Sequence, residues 1–229
     1  MGYRLSAGFV VQCPVMTPHD LRSPTRPKLL PLALFTLFYM VAAVTGAAAA
    51  GNREFVFYIV VMLVLIAVVM VVHRRMSLTS GQLWALSIWG LLHMAGGLVP
   101  VPESFQINGP IRVLYSLWLI PGRLKYDQLV HAYGFGVTTW ICWHAIRTSL
   151  GAAGVSRPKP TLGLLTLAAA GGMGFGALNE LIEFIAVLTI PNTNVGGYEN
   201  TGWDLVANLV GCVIATLVIR MSHREAGPA

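Results

Sequence analysis

Charged side chains are scarce in this sequence. Asp, Glu, Lys and Arg together make up 10% of the 229 residues, whereas apolar residues make up 55%. A soluble domain normally carries charge on about a quarter of its residues, because its surface must be solvated. The composition therefore excludes an ordinary soluble fold and indicates an integral membrane protein.

Cysteines and recognisable cofactor motifs are also few. Three cysteines are present, at Cys13, Cys142 and Cys212, and they do not form a disulfide framework. The sequence contains no P-loop, no haem motif and no nucleophile motif. Residues 1–28 lack an apolar run long enough for a signal peptide, and either Met1 or Met16 is compatible with the natural start. We expect this segment to be cytoplasmic and loosely ordered.

What the sequence has instead is a series of long apolar runs. A helix needs about 20 residues to cross the hydrocarbon layer of a bilayer. Six runs meet this requirement, near residues 29–50, 55–72, 83–99, 128–146, 162–190 and 203–219. The pattern predicts an all-α integral membrane protein with six transmembrane helices, forming one domain over 29–221 with a cytoplasmic tail at 222–229.

The basic residues divide unequally between the two sides of these spans. If the N-terminus is cytoplasmic, eleven of the fifteen Lys and Arg lie on the cytoplasmic side and four on the outer side. This is the positive-inside bias, so we expect both termini in the cytoplasm of a multi-pass inner (plasma) membrane protein. Because the bias accounts for the net positive charge, no nucleic-acid partner is expected, and the natural surroundings are membrane lipids.

Two outer loops differ in composition. The segment Pro100 to Asp127 is rich in aromatic residues, which fits either a helix lying at the membrane interface or an irregular loop. The segment Ile190 to Trp203 is rich in Asn and Gly, which predicts a turn-forming extracytoplasmic loop.

Polar residues of the last four spans fall at similar depths. At 1.5 Å per residue, His93 lies roughly 10 Å from the outer end of its span. Spacings of three or four residues place pairs of polar groups on one helix face. Together the four spans bring one polar set into the outer half of the membrane: His93, Asp127, His131, Asn179, Glu180, Glu183, Asp204 and Asn208.

Such residues are costly in lipid unless they share a proton or a cation, because a charge near the bilayer centre costs about 2.5–3.5 kcal/mol. Two imidazoles with several carboxylates suit Zn, Mn or Fe. We therefore predict a divalent metal site formed by His93, Asp127, His131, Glu180, Glu183 and Asp204, supported by Asn179, Asn208 and Tyr133. Asp127 and Asp204 also fit ordinary helix caps, and Asn208 also fits hydrogen bonding between helices.

Glycines are concentrated in the same spans. Small residues let helix backbones approach closely in a membrane. We expect close helix contacts at three groups of glycines: Gly96 and Gly97; Gly134 and Gly136; and Gly171, Gly172, Gly174 and Gly176.

Three segments in this region form a recognisable order: "DQLVH" from Asp127, "ELIE" from Glu180 and "WDLVANLVG" from Trp203. They resemble the D-x-x-x-H, E-x-x-Q/E and D-x-x-x-N-x-x-G signatures of VanZ-like membrane proteins. Over residues 90–215 the chain is more similar to the related YjdF-like inner-membrane proteins. That resemblance rests on His93 with the glycines that follow it, on Tyr126 to Phe135 and on Trp203. The arginine that precedes the last aspartate in VanZ-like proteins is missing, and "GGYENTG" stands in its place.

Three functions fit this site. The first is a metal-dependent membrane enzyme acting on a lipid or lipid-linked envelope substrate, with the ion polarising an oxygen or activating water. The second is a proton- or cation-coupled transporter, and the third is a non-catalytic envelope factor. A site that opens only to the outer side favours the enzyme. The YjdF-like resemblance implies no established reaction, and the sequence carries no signal for an oligomeric state.

Overall fold

Six α-helices make up most of the part of the chain that the structure, a computed structural model, describes: residues 29–156, 158–191 and 193–225. They are α1 (Leu29–Ala50), α2 (Arg53–Met76), α3 (Ser80–Leu98), α4 (Tyr126–Ala152), α5 (Leu162–Thr189) and α6 (Tyr198–Glu225). α1, α2, α5 and α6 are long and apolar enough to cross a membrane, whereas α3 and α4 are less apolar. The predictions for residues 1–28 and for the last part of the tail, 226–229, fall outside the described residues.

Side-chain caps define where several helices begin and end. α2 begins after Asn52, whose side chain accepts the Phe55 N–H at 3.1 Å. α3 begins with a capping box in which Gln82 Oε1 accepts the Thr79 N–H at 2.9 Å and Thr79 Oγ1 accepts the Gln82 N–H at 3.3 Å. α2 ends at Ser77, which adopts the left-handed conformation (φ 52°) and donates its N–H to the His73 carbonyl. These polar caps explain why the helices end where the apolar runs meet short connections.

The helices pack as two connected groups. α1, α2 and α3 enclose an apolar cluster that includes Tyr39, Phe55, Tyr58 and Met94. α4, α5 and α6 form the second group, which contacts the first mainly where α3 packs on α4. Large apolar side chains cover the outward faces (Phe38, for example, is 75% exposed), as expected for helices surrounded by lipid.

Glycines allow the second group to pack closely. A Cβ atom added to Gly211 of α6 would collide with the backbone carbonyl of Ala132 on α4. On α5, a Cβ at Gly172 would meet Cys212 Sγ at 2.9 Å, and one at Gly176 would meet Asn208 Nδ2 at 2.7 Å. Gly174 has open space around it, so the prediction that it takes part in a helix contact is wrong. It is two residues from Gly172 and two from Gly176, which places it on the opposite face of α5 from these two glycines.

The connection between α3 and α4 is an irregular loop with local order, so the alternative of an interfacial helix is wrong. It contains a 3-10 helix at Leu114–Ser116 and a hairpin of β1 (Trp118–Ile120) and β2 (Leu124–Lys125), in which Trp118 pairs with Lys125. Gly109 and Gly122 adopt positive φ values of 93° and 67°, and such turns are incompatible with a continuous helix.

One arginine stabilises this loop from inside. Arg112 Nε donates to the Val101 carbonyl at 3.3 Å, and Nη2 donates to the carbonyls of Pro102 and Phe105 at 2.7 and 2.9 Å. The guanidinium therefore satisfies three backbone acceptors that a loop would otherwise leave to water.

The connection between α5 and α6 is shorter than the sequence predicts. The turn-forming loop was expected to reach Trp203, but α6 already begins at Tyr198. Its first turn is polar, so an apolar run alone could not locate its start. The remaining loop is fixed at the start of α2, where Glu54 Oε2 accepts the Asn194 N–H at 2.9 Å. The end of the bundle that carries both loops is called the loop end below.

Candidate metal centre

His131 is the centre of the polar cluster. It lies in the second turn of α4 and is 5% exposed. Its Nδ1 atom is 3.1 Å from Asn208 Oδ1 on α6 and 3.6 Å from Glu180 Oε1 on α5. Its Nε2 atom is 3.6 Å from Asp127 Oδ1 and 3.9 Å from Glu183 Oε1. One imidazole thus touches polar groups from three helices.

Two sets of side chains around His131 have the spacing of metal ligands. One is Asp127, His131 and Asp204, and the other is His131, Glu180 and Glu183. Within each set, one potential ligand atom per residue lies within 4.8 Å of the others. Ligands at about 2.0–2.3 Å from a common ion are separated by distances below this limit. The structure therefore brings together five of the six residues that the sequence selected.

Several oxygens in these sets have no hydrogen-bond partner among the described residues. They are both carboxylate oxygens of Glu180 and Oδ1 of Asp204, and Asp204 is fully buried. A buried carboxylate without a partner is costly, since neither water nor a donor compensates for its lost hydration. Glu180 and Asp204 belong to different ligand sets, so the oxygens of each fit a cation bound at that residue's own set.

Amides and one lysine surround the cluster. Asn179 Nδ2 donates to Glu183 Oε1 at 2.9 Å, and Asn200 Nδ2 donates to Asp204 Oδ2 at 2.5 Å. Lys125 Nζ lies 3.5 Å from Asp127 Oδ2 and donates to Asn200 Oδ1. Lys125 is 6% exposed, and it stabilises the aspartates on this side of the cluster.

Sequence reasoning missed Lys125 and Asn200. Asn200 precedes Asp204 by one helical turn, which is a usable signal, but it was placed in a loop rather than on α6. Lys125 is the last residue of β2, and no periodic pattern links it to the helices.

His93 lies apart from both ligand sets. Its Nδ1 atom is 2.5 Å from the Tyr115 hydroxyl, and its ring packs edge-on against Tyr58 and Tyr115. Loss of solvent raises the pKa of the Tyr115 hydroxyl well above its usual value, so this group stays protonated at neutral pH. His93 lies five residues before the end of α3, and the aromatic pair, not the carboxylates, contacts this imidazole.

Tyr133 also lies elsewhere. Its hydroxyl donates to the Ala85 carbonyl on α3 at 3.1 Å. Two residues along a helix correspond to a rotation of about 200°, so Tyr133 points away from the face that carries His131. Its contact connects α4 to α3 and does not support the cluster.

A polar cavity of about 770 Å³ adjoins the cluster at the loop end. Its walls come from the loop before α4, from the loop before α6 and from the first turn of α6, and they include Lys125, Asp127 and Asn200. Asp127 therefore belongs both to a ligand set and to the wall of a cavity that water-sized molecules can enter.

His144 lies on the opposite part of α4, away from the cluster. Its Nε2 atom is 2.9 Å from the Met76 carbonyl oxygen.

Comparison with known proteins supplies a family but no activity. Neither the curated proteins nor the solved structures include a match to the chain. One family model, described as "Predicted membrane protein (DUF2238)", matches residues 30–225, which include the whole cluster and all of the six helices except Leu29, the first residue of α1. YjdF is a member of that family, whereas the relation to VanZ-like proteins stays a prediction. The chain belongs to the predicted membrane protein family DUF2238.

Proposed function

We propose that the cluster around His131 binds a divalent cation and that the protein is a metal-dependent membrane enzyme acting on a lipid or lipid-linked substrate. The observation that carries this proposal is a set of buried carboxylate oxygens, at Glu180 and Asp204, that have no hydrogen-bond partner in the described part of the chain and lie next to a buried imidazole. A cation bound at each ligand set would compensate the oxygens of that set, whereas a packing role would leave them unsatisfied.

The donor set favours Zn, Mn or Fe, because one imidazole with several carboxylates is a borderline-to-hard environment. Such an ion, when bound, can polarise a phosphoryl or carbonyl oxygen or activate a water molecule. Asn208, Asn179 and Asn200 would orient the ligands by their hydrogen bonds, as the partners of metal ligands usually do. Asp127 faces the polar cavity, which gives a substrate a route to the cluster.

The membrane arrangement is part of the same proposal. All six helices cross the inner membrane, with both termini in the cytoplasm and the loop end on the outer side. The support is the eleven-to-four division of basic residues. α3 and α4 cross despite their polar residues, because several of these, such as Gln82, Ser87 and His131, are buried against protein rather than exposed to lipid.

Elemental analysis of purified protein tests the metal site. We expect about one or two Zn, Mn or Fe ions per chain in the wild type, and a large loss of bound metal in Glu180→Gln and Glu183→Gln, because an amide is a weak ligand. Glu199→Gln is the matched control, since Glu199 is an exposed glutamate at the loop end outside both ligand sets. Equal metal content in all four proteins would contradict the assignment.

Proton- or cation-coupled transport is the second candidate, and the same unpartnered carboxylates favour it, since protonated carboxyl groups also fit a buried site. The two candidates differ in measurable ways. A transporter would purify without transition metal and fail to take it up, and liposomes containing it would show proton or cation flux that Glu183→Gln abolishes.

A further inference from the structure

An apolar groove reaches the metal centre from the side of the bundle. It has a volume of about 450 Å³ and lies among α1, α2, α3 and α5. Its outer part is lined by exposed aliphatic side chains, among them Leu37 (60% exposed) and Leu65 (37% exposed). Its inner end reaches His93 and Asn179. Since Asn179 donates to Glu183, one hydrogen bond connects the end of the groove to a predicted metal ligand.

The polar cavity reaches the same centre from the loop end, and it contains basic side chains that have donors to spare. Arg123 and Lys125 both line it. Lys125 uses two of its three N–H donors on Asp127 and Asn200, which leaves one for another acceptor. Arg123 is exposed in the turn between β1 and β2. By contrast, Arg112 is occupied by three loop carbonyls.

The lining of each space contains a residue bonded to a residue of the other and a residue of the cluster. Tyr115 lines the polar cavity and His93 lines the apolar groove, and their polar atoms are 2.5 Å apart. Asp127 lines the cavity, and Asn179, which donates to Glu183, lines the groove. The metal centre is therefore flanked by a space suited to an anionic polar group and by a space suited to a hydrocarbon chain.

From this arrangement we infer the substrate class: a membrane lipid with a phosphate-bearing head group, whose phosphate contacts Lys125 and Arg123 and whose chain lies along the groove. The inference rests on the proposed function. Two cationic side chains, Arg123 and Lys125, and two carboxylates, Asp127 and Glu199, line the cavity, and Asp127 is already paired with Lys125. Phosphate is selected because both cations keep a donor for an anion and arginine binds phosphate oxygens well. The groove selects hydrocarbon, because it is apolar and opens between helices that face lipid.

Three probes separate the parts of this inference. Dodecyl phosphate has both a phosphate group and a hydrocarbon chain. Dodecanol has only the chain, and inorganic phosphate has only the anionic group. Binding is measured by the change in tryptophan fluorescence on titration of the purified protein. We expect dodecyl phosphate to bind at least about tenfold more tightly than either of the others, since each feature adds its own contacts.

Variants of the protein then test where the phosphate group and the hydrocarbon chain bind. Arg123→Ala and Lys125→Met are each expected to weaken dodecyl phosphate binding about tenfold, by removing one charge-assisted contact. Leu65→Trp should weaken it by filling the groove. The matched controls are Arg53→Ala, an exposed arginine outside the cavity, and Val64→Trp, an exposed position that does not line the groove. Arg123→Ala decides the head-group part if Lys125→Met does not fold.

The titrations are done on metal-depleted protein and again after addition of manganese, so that failure of the metal site and failure of the lipid site are told apart. Equal affinity for inorganic phosphate and dodecyl phosphate would overturn the lipid assignment. Equal affinity for dodecanol would overturn the phosphate assignment. No binding of dodecyl phosphate under either condition, or equal binding in the variants and their controls, would overturn the inference as a whole.

Discussion

Two histidines of similar predicted depth have different surroundings in the structure. His131 is surrounded by carboxylate and amide oxygens, with Asn208 at 3.1 Å and three carboxylates between 3.6 and 3.9 Å. His93 has a tyrosine hydroxyl on Nδ1 and aromatic rings on both sides. The first environment suits a metal ligand, and the second suits a packing residue whose polar atom is satisfied.

This difference predicts opposite results for one substitution at the two positions. His131→Ala should lose most of the bound metal, because both ligand sets contain this imidazole. His93→Ala should keep the wild-type metal content but lower the free energy of unfolding by about 1–3 kcal/mol, because the Tyr115 hydroxyl loses its partner. Metal content and thermal unfolding in detergent are measured on both proteins. Loss of metal in His93→Ala would place that residue back among the ligands.

Helical spacing explains which site residues the sequence could identify. Asp127 with His131, Glu180 with Glu183, and Asp204 with Asn208 are local pairs, so a single helix brings each pair to one face. The contact of Lys125 with Asn200 joins residues 75 positions apart, through the end of a short hairpin and the first turn of α6. No periodicity encodes such a contact, and only the tertiary packing of the loop end reveals it.

At the scale of helices, glycine placement decides which faces meet. Gly172 of α5 is buried against α4 and α6, whereas Gly174 of the same helix has open space around it. Gly172→Leu should therefore lower the free energy of unfolding by about 1–3 kcal/mol through overpacking. Gly174→Leu is the control and should unfold like the wild type.

Thermal unfolding in one detergent measures both proteins. Equal stability of the two variants would contradict the packing of α5 on α4 and α6. A marked loss of stability in Gly174→Leu would show instead that this face is covered, for example by a second copy of the chain.

The helices were predictable and the loops were not, for a physical reason. Long apolar runs are read directly from composition, because lipid requires them. The loop between α3 and α4 is determined by turns at Gly109 and Gly122 and by the contacts of Arg112, which depend on distant backbone atoms. The first turn of α6 could not be predicted for a different reason. Its residues are polar, and hydropathy marks only the apolar part of a helix.

The whole molecule has two unlike ends. The loop end carries the hairpin, the polar cavity and the contacts of Asn194 with Glu54 and Ser116. At the opposite end, α2 is joined to α3 by residues 77–79, and α4 to α5 by residues 153–161. All the groups of the proposed metal centre lie toward the loop end, so the orientation of the chain decides which compartment the proposed site faces.

Cysteine labelling tests that orientation. In a Cys13→Ser background, Gly197→Cys at the loop end should react with a membrane-impermeant maleimide in intact cells, because we expect that end outside. Ser156→Cys, which is exposed at the opposite end, should react only after the membrane is permeabilised. A reporter fused to the C-terminus should be active in the cytoplasm. The reverse labelling pattern would move the site, and its substrate, to the cytoplasmic side.

The position of His131 among α4, α5 and α6 also has a consequence for biogenesis. The glutamates of α5 and the imidazole of α4 leave the ribosome before Asp204 and Asn208, which α6 supplies last. Until α6 inserts, a nascent chain carries Glu180 and Glu183 in a cluster that still lacks Asp204 and Asn208. We therefore expect a chain truncated before α6 to be less stable in the membrane than the full chain, because His131 then lacks its hydrogen-bond partner Asn208.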